Sequence, residues 1–251
     1  MKVAGIIPAR YGSTRFPGKP LALLNGKPMI QRVYERASRA GLLNEVIVAT
    51  DDARIFGTVQ QFGGRVVMTR PDHPSGSDRI AEVAAKNQAE IIVNIQGDEP
   101  LIEPAAIDSG VKVLLENPAA QVATLVCPIR RAADLRNANV VKVVLARDNT
   151  ALYFSRSAIP FCRQAVKEED WLRHHTYCKH IGLYVFRREL LLQFVKWPPS
   201  QLEKSERLEQ LRLLEHGVKI HVAVTGYEGR GVDTEEDLEA VQTYLNSTLA
   251  P

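Results

Sequence analysis

Apolar and polar residues follow one another along this chain in blocks of strand and helix length. Helical patterns separate most of the early apolar runs, as in "MIQRVYERASRAG", where Ile30, Val33 and Ala37 share one face and Gly41 follows the last turn. Strands that alternate with helices are typical of a parallel or mixed sheet covered by helices. We therefore predict an α/β fold with a doubly wound, mostly parallel mixed sheet. The strand-like runs are "KVAGIIP", "EVIVAT", "RVVMT", "EIIVNIQ", "QVATLVCP", "VVKVVLA", "ALYFS", "HIGLYVF" and "KIHVAV".

The alternation of strands and helices loosens from about Ala123 onward. Neighbouring runs there leave little room for helices, and the stretch "CRQAVKEEDWLRHHTYC" is polar and without pattern. The nearest thing to a linker, "KWPPSQ", is too short to separate two independent cores. We expect one domain over residues 1–251, with an insertion or dimerisation region around residues 155–200.

Charge and cysteine content narrow the class of protein. The 251 residues include 32 basic and 29 acidic ones, a net charge of +3 without basic tracts, so a nucleic-acid partner is not expected. The three cysteines form neither a C-x-x-C pair nor an even disulfide framework, which favours reduced thiols. Since no segment reaches ~18 consecutive apolar residues, we expect no membrane span and a soluble, cytoplasmic protein.

The stretch "IIPARYGSTRFPGKP" begins as a buried strand and continues as a loop with three cations, Arg10, Arg15 and Lys19. Glycines and the hydroxyl of Ser13 make such a loop suitable for holding phosphate at the end of a strand. The loop contains no G-x-G-x-x-G, and it misses the P-loop pattern because Pro20 replaces the metal-binding Ser or Thr. A solvated basic loop is the alternative, and the position after the first strand favours the phosphate site.

Carboxylates in two other segments suggest a metal site. In "IVNIQGDEPLI" a buried strand is followed directly by Asp98 and Glu99, and Mg²⁺ prefers one or two carboxylates together with substrate phosphates and water. A turn rich in Asp and Gly is the alternative explanation. In "GRGVDTEEDLEAV" Thr234 and Asp237 have the spacing of a helix cap, whereas Asp233 lies just outside it.

Seven motifs stand out along the chain: "PARYGSTRFPGKPL", "SGSDRIAEVA", "NIQGDEPLI", "YFSRSAIP", "HIGLY", "LEQLR" and "GVDTEEDL". Together they resemble one family, the 3-deoxy-manno-octulosonate cytidylyltransferases, also called CMP-Kdo synthetases. The resemblance runs from the first strand to the last helix. Two departures are Phe16, where Leu is more usual, and residues 163–175, which follow no family pattern; neither touches the expected chemistry.

The resemblance implies a nucleotide-diphospho-sugar transferase fold and the transfer of CMP from CTP to 3-deoxy-D-manno-octulosonate, with release of pyrophosphate, for lipopolysaccharide biosynthesis. It also implies a homodimer and a Mg²⁺ ion held by Asp98 and Asp233. Carried over by motif, the nucleotide-binding residues are Arg10, Ser13, Arg15, Lys19, Arg79 and Asp98, with Lys19, Arg10, Asp98 and Asp233 as the catalytic set. The residues implied around the acid sugar are Gln96, Arg156, His180, Tyr184, Glu209 and Gln210.

The two-residue period of a β-strand predicts which sugar-site residues share a face. In "HIGLYVF" it places one set of residues, His180, Gly182, Tyr184 and Phe186, on one face. The other face carries the apolar trio Ile181, Leu183 and Val185. We expect Glu209 and Gln210 nearby, on a helical stretch around Leu208.

Three alternatives remain at this point. A related enzyme could act on another acid sugar of the sialic-acid type, and a non-catalytic nucleotide-binding regulator could use the same loops. The cluster "HHTYCKH", which holds His174, His175, Cys178 and His180, could suggest zinc, although no second ligand cluster accompanies it.

Overall fold

The structure, a computed structural model, describes residues 1–12, 16–165, 167 and 170–248. The chain divides into two compact units. The first is formed by Met1–Asp108 with the C-terminal segment from Gly229, and the second by Ser109–Glu228. The expectation of a single domain over the whole chain, with an insertion around residues 155–200, stays a prediction.

Strands and helices alternate through most of the described chain. The strands are β1 (Val3–Ala9), β2 (Leu23–Leu24), β3 (Lys27–Pro28), β4 (Glu45–Thr50), β5 (Val66–Met68), β6 (Ile91–Asn94), β7 (Val122–Pro128), β8 (Lys142–Leu145), β9 (Ala151–Ser155), β10 (Cys178–Arg187) and β11 (Ile220–Val224). The α-helices are α1 (Met29–Ala37), α2 (Ala53–Gln61), α3 (Gly76–Ala85), α4 (Pro104–Glu116), α5 (Ala132–Arg136), α6 (Trp171–His174), α7 (Arg188–Phe194), α8 (Gln201–Glu206), α9 (Leu211–Glu215) and α10 (Glu235–Thr248).

A parallel sheet forms the centre of the first unit. Its strands pair in the order β6-β1-β4-β5, and every pair is parallel. Strands buried on both faces read as continuous apolar runs, which is why β1 and β4 were visible in the sequence. Helix α1 buries Met29, Ile30, Val33 and Ala37, the stripe that its 3.6-residue period predicts.

The second unit contains the mixed part of the sheet. Strand β7 pairs in parallel with β11 and antiparallel with β10, while β8 pairs antiparallel with both β10 and β9. The pairing of β10 with β7 shifts register between Ile181 and Tyr184, which marks a β-bulge. The predicted α/β fold with a mostly parallel mixed sheet is confirmed, and all nine strand-like runs contain a strand.

A short hairpin, β2 paired with β3, was missing from the prediction. Its turn consists of Asn25 and Gly26, whose φ angles are +46° and +74°. These residue types adopt the left-handed conformation most readily.

Throughout the described part of the chain, every helix is too short or too polar to cross a bilayer.

Candidate functional site

A cavity of about 470 Å³ lies in the first unit at the end of β1. Ligands of open α/β sheets bind at the carboxyl ends of strands, and this cavity occupies such a position. Six predicted site residues line it: Arg10, Lys19, Arg79, Gln96, Asp98 and Asp233. The remaining lining residues are Pro8, Ala9, Pro20, His73, Pro74, Ser75, Gly76 and Gly97.

Lys19 joins two segments that are far apart in the sequence. Its ammonium Nζ lies 2.7 Å from Asp98 Oδ2 and 3.3 Å from Asp233 Oδ1. The lysine begins a short 3₁₀ turn, Lys19–Leu21, directly after Gly18, whose φ of +74° strongly favours glycine. The side chain of Lys19 is only 14% exposed, so the turn holds its charge against the two carboxylates at the cavity wall.

Backbone contacts also tie the Asp98 and Asp233 segments together. The amide of Val232 donates to the carbonyl of Asp98 at 2.9 Å. Val232 itself is fully buried in an apolar cluster with Leu24, Met29, Leu101 and Val241. The position of Asp233 is therefore fixed by core packing next to it in the chain.

The helix cap at the start of α10 does not use the Asp233 carboxylate. Asp237 accepts hydrogen bonds from the amides of Asp233 and Thr234, and Thr234 Oγ1 accepts from the amide of Asp237 at 3.2 Å. The expectation that Asp233 lies outside the cap is confirmed. Its carboxylate instead contacts Lys19 at the cavity.

The donor chemistry of this cavity fits Mg²⁺. Asp98 and Asp233 come from separate segments and reach the same ammonium, so their oxygens converge on one small region. Among the described residues, no group of three or more His, Cys, Asp or Glu side chains could hold a metal. A site with two carboxylates suits an ion that completes its shell with phosphate oxygens and water.

Arg79 is a buried cation at the cavity wall. Helix α3 begins after Ser75, whose hydroxyl accepts from the amide of Asp78 and so caps the helix. Arg79 Nη1 donates to Thr69 Oγ1 at 2.6 Å, and Nη2 lies 3.2 Å from Asp51 Oδ2. These contacts fix the guanidinium plane before any ligand arrives.

His73 is a cavity residue that the sequence analysis missed. Its Nε2 lies 2.7 Å from Glu82 Oε2, and the amide of Arg70 donates to the same oxygen. The hydrogen bond from the Arg70 amide, followed by the contact with His73, lowers the pKa of Glu82 to about 2. A signal was present, because His73 lies only two residues before the motif "SGSDR".

Three predicted sugar residues of the second unit, His180, Tyr184 and Glu209, lie close together. His180 and Tyr184 lie on the same face of β10 with ring centroids 5.3 Å apart, while Ile181, Leu183 and Val185 are buried on the other face. The period-two expectation for this strand is therefore confirmed. Burial lowers the pKa of His180 to about 3, so its imidazole is neutral near pH 7.

The prediction that Glu209 and Gln210 lie on a helical stretch was wrong. Both residues lie in the turn between α8 and α9. The helical pattern is interrupted at Arg207, which follows α8 with a left-handed φ of +52°. Gln210 is nevertheless buried.

Two buried donors of the second unit form no hydrogen bond of normal geometry within the described ranges. They are Nε2 of Gln210 and the hydroxyl of Tyr184, which lies near the Thr124 side chain. Burial, with the nearby charge of Glu209, raises the pKa of Tyr184 well above its ordinary value, so the hydroxyl stays protonated. Buried donors without partners are costly, and a ligand that supplies acceptors would satisfy them.

Arg156 follows β9 and is held by backbone carbonyls of the second unit. Its guanidinium donates to the carbonyl of Glu206 at 2.7 Å and to that of Ala138 at 2.9 Å. The Glu206 carboxylate accepts from the Arg156 amide at 3.0 Å and from the Ser155 hydroxyl at 2.6 Å. Glu206, which was not predicted, thus fixes the backbone and side chain of this arginine.

Known proteins similar to this chain show its family. A profile described as cytidylyltransferase matches residues 4–220. The 3-deoxy-manno-octulosonate cytidylyltransferase of Geobacter sulfurreducens is 56% identical over 245 residues, covering 96% of this chain and 98% of that protein. The protein of the same name from Bacteroides thetaiotaomicron is 53% identical, covering 98% of this chain and 99% of that one. This chain belongs to the 3-deoxy-manno-octulosonate cytidylyltransferase family.

One solved structure supports the same family, and a second, more distant one shares the fold. The structure of a CMP:2-keto-3-deoxy-manno-octonic acid synthetase complexed with CTP is 45% identical, covers 99% of this chain and 100% of its own, and superposes with a TM-score of 0.93. The 4-diphosphocytidyl-2C-methyl-D-erythritol synthase of Anaerococcus prevotii, 14% identical with a TM-score of 0.63, covers 98% of both chains and shares the fold. The predicted nucleotide-diphospho-sugar transferase-like fold is thus confirmed.

Some expectations for this cytidylyltransferase remain untested, and one alternative has no support. Ser13 and Arg15 lie outside the described residues, so their assignment to the triphosphate stays a prediction. The zinc alternative finds no support, because in the described ranges the His and Cys residues of "HHTYCKH" do not converge with other ligands. The individual ligand contacts of the other site residues also remain predictions.

Proposed function

We propose that this protein transfers CMP from CTP to 3-deoxy-D-manno-octulosonate and releases pyrophosphate, as a step of lipopolysaccharide biosynthesis. The observation that carries the proposal is Lys19, held between Asp98 and Asp233 in a cavity at the carboxyl end of β1. Membership of the family and relatives more than 50% identical over nearly the whole chain support the choice of both substrates.

The reaction exchanges one phosphorus–oxygen bond for another. A hydroxyl oxygen of the sugar attacks the α-phosphorus of CTP, and the bond from that phosphorus to the bridging oxygen of the β-phosphate breaks. Pyrophosphate leaves with the electron pair of that bond, and the proton of the hydroxyl passes to solvent or to the pyrophosphate. Such a transfer needs alignment of the reacting atoms and stabilisation of phosphate charge, rather than a protein nucleophile. Arg10 and Lys19 supply positive charge at the cavity, and Ser13 and Arg15 belong to the same loop.

We assign the proposed Mg²⁺ to Asp98 and Asp233, whose carboxylates converge on Lys19. When bound, the ion would neutralise phosphate charge and lower the pKa of a coordinated hydroxyl. Arg79, fixed by Thr69 and Asp51, is assigned to the cytidine because its guanidinium lines the cavity and needs no rearrangement to donate hydrogen bonds.

The acid sugar is assigned to a group of residues in the second unit, and Gln96, which lines the cavity of the first unit, stays a separate prediction. The group offers a neutral imidazole and, as far as the described residues go, a hydroxyl and an amide without a hydrogen bond, which match the hydroxyl groups of a sugar. Its members are Arg156, His180, Tyr184, Glu209 and Gln210.

The proposed assembly is a cytoplasmic homodimer. The three cysteines are buried and free, which suits a reducing compartment. In the region expected to mediate dimerisation, Phe161 is 76% exposed, and exposed aromatic side chains are typical of protein interfaces. Sedimentation of the wild type and of Phe161→Asp tests this assembly; the substitution is expected to shift the equilibrium toward monomers.

The reaction itself is tested by following pyrophosphate release. Purified protein is incubated with each of the four common nucleoside triphosphates and a panel of acid sugars that includes 3-deoxy-D-manno-octulosonate and a sialic acid, with and without Mg²⁺. We expect release only with CTP, the octulosonate and Mg²⁺. Failure of this combination, or a faster reaction with the sialic acid, would contradict the proposal.

A further inference from the structure

The hydroxyl of Thr124 is a buried hydrogen-bonding centre in the second unit. Thr124 lies on β7 with no exposed surface. Its Oγ1 lies 2.8 Å from the carbonyl oxygen of Leu183, 3.3 Å from that of Ile181 and 2.9 Å from Nε2 of His180. One hydroxyl therefore meets three groups of β10.

The chemistry of these groups decides where the protons lie. Both carbonyl oxygens can only accept, so the single hydrogen of the Thr124 hydroxyl points to one of them, with Leu183 the nearer. The Thr124 oxygen can then accept a hydrogen from Nε2 of His180, 2.9 Å away, when that nitrogen is the protonated one; the hydroxyl of Tyr184 is a second donor near Thr124. Burial lowers the pKa of His180 to about 3, so the imidazole is neutral near pH 7, and in this tautomer Nδ1 holds a lone pair.

The fold gives this arrangement a fixed frame. Thr124 pairs with Tyr184 immediately after the register shift in β10, and the two carbonyls that it reaches belong to residues within or beside that shift. The phenyl ring of Phe154 packs edge-on against the imidazole of His180 with centroids 5.3 Å apart. Rotation of the imidazole would lose both the hydrogen bond and this packing.

Tyr184 is the polar neighbour that shows what Nδ1 of His180 could bind. The two rings lie side by side with centroids 5.3 Å apart, so the buried hydroxyl of Tyr184 offers a donor next to the acceptor on Nδ1. A donor and an acceptor side by side match hydroxyl groups, each of which can both donate and accept. A carboxylate would be repelled by the lone pair on Nδ1, because both groups only accept.

We propose that Thr124 is a positioning residue for the acceptor sugar: it holds His180 as the Nε2-protonated tautomer. In that tautomer Nδ1 accepts a hydrogen bond from a sugar hydroxyl and cannot bind the sugar carboxylate, which has no hydrogen to donate. This inference rests on the proposed function, since it assigns one contact of the same sugar. Thr124 acts through His180 and does not itself touch the substrate.

The test combines substitutions with a direct measurement of the tautomer. Thr124→Val removes the hydroxyl at almost constant volume, and Thr124→Ser restores it. Thr150→Val is the matched control, because Thr150 is also buried in the second unit and its hydroxyl donates to Asp148 at 2.7 Å. ¹⁵N spectra of the imidazoles, assigned with His180→Gln, report which nitrogen carries the proton without any substrate.

We expect the wild-type spectrum at pH 7 to show the proton of His180 on Nε2, and Thr124→Val to shift it toward Nδ1. Thr124→Val should raise the KM for 3-deoxy-D-manno-octulosonate at least tenfold, with the Kd for CTP within twofold. Thr124→Ser should stay within about threefold of wild type in KM, and Thr150→Val should behave like wild type.

A wild-type proton on Nδ1 or on both nitrogens would overturn the inference, and so would a folded Thr124→Val variant with unchanged KM. If Thr124→Val does not fold, the wild-type spectrum still decides. If the wild type does not release pyrophosphate from CTP and the octulosonate, the proposed function fails separately, since the spectrum is independent of turnover.

Discussion

Replacing Lys19 by methionine separates two roles of its ammonium group. The side chain keeps its approximate length and apolar stem but loses the charge that lies 2.7 Å from Asp98 and 3.3 Å from Asp233. If Lys19 stabilises the charge of departing pyrophosphate, kcat should fall about 10²-fold or more, which corresponds to ~3 kcal/mol of transition-state stabilisation.

The same substitution should strengthen the binding of Mg²⁺. Lys19 places a positive charge between the two carboxylates that are proposed to hold the metal, and both are partly exposed, at 33% and 49%. Even with the dielectric constant of water, the repulsion between the ammonium and a divalent cation about 4 Å away is worth about 2 kcal/mol, twice the value for two unit charges. The Mg²⁺ concentration for half-maximal activity should therefore fall about thirtyfold while kcat falls.

The free energy of unfolding should change little in Lys19→Met, because partly exposed ion pairs contribute about 0–1 kcal/mol. We expect the melting temperature to fall by no more than about 4 °C. Lys27→Met is the matched control, since Lys27 forms an ion pair with Glu35 at 2.9 Å outside the cavity lining. A kcat close to wild type, or a rise in the half-saturating Mg²⁺ concentration, would refute the assignment of Lys19.

Three further expectations concern other parts of the molecule. Asp98→Asn and Asp233→Asn should each raise the half-saturating Mg²⁺ concentration at least about tenfold. If both residues hold one ion, the free energy of Mg²⁺ binding lost in the double variant should be smaller than the sum of the two single losses. A Mg²⁺ titration of Asp233→Asn that matches the wild type would show that Asp233 does not bind the metal. The pKa of His180 is about 3 in the folded protein and 6.5 in the unfolded chain, so the unfolded chain binds the proton first as the pH falls. The free energy of unfolding should therefore drop by about 1–2 kcal/mol between pH 7 and pH 5. Urea unfolding should show that this drop is smaller in His180→Gln, and an equal drop would contradict the low pKa. Gly97→Ala places a methyl carbon 2.8 Å from the carbonyl oxygen of Pro8, so a melting temperature several degrees lower is expected; an unchanged one would show that the backbone adapts.

The strands of this protein were predictable because their burial leaves a simple signal. Strands β1, β4 and β7 lie almost entirely in the core, and each reads as an unbroken apolar run bounded by polar residues. The hairpin of β2 and β3 escaped because two-residue strands have no measurable period. Its turn, Asn25-Gly26, is nevertheless the strongest short hairpin signal, and it was visible in "LLNGKP".

The break between α8 and α9 could not be predicted in the same way. The sequence "EKSERLEQLRLL" continues a helical pattern through Arg207, which nonetheless adopts a left-handed φ of +52°. Arginine has no intrinsic preference for that conformation, so nothing local indicates the turn. Tertiary contacts hold it, among them the hydrogen bond from Arg156 to the carbonyl of Glu206.

Site residues could be predicted where one continuous segment shows a local signal. The contacts between segments that are far apart in the sequence could not be predicted. Asp98 follows a buried strand, so its position at a strand end is a local signal. Asp233 lies 135 residues later and entered through the family resemblance, and only the structure shows both carboxylates at one ammonium. Thr124 gave no signal, because a lone threonine within an apolar strand is ordinary.

The contacts of Lys19 would couple the binding of CTP to the binding of the proposed metal. Its ammonium can balance Asp98 and Asp233 or the phosphates of CTP, and a phosphate that draws it away leaves two neighbouring carboxylates with less positive charge. Those carboxylates then bind a divalent cation more strongly, because the ion no longer competes with the ammonium. By linkage the cation must raise the affinity for CTP by the same factor. A lysine between two carboxylates thus couples the nucleotide to the proposed metal without any movement of the backbone.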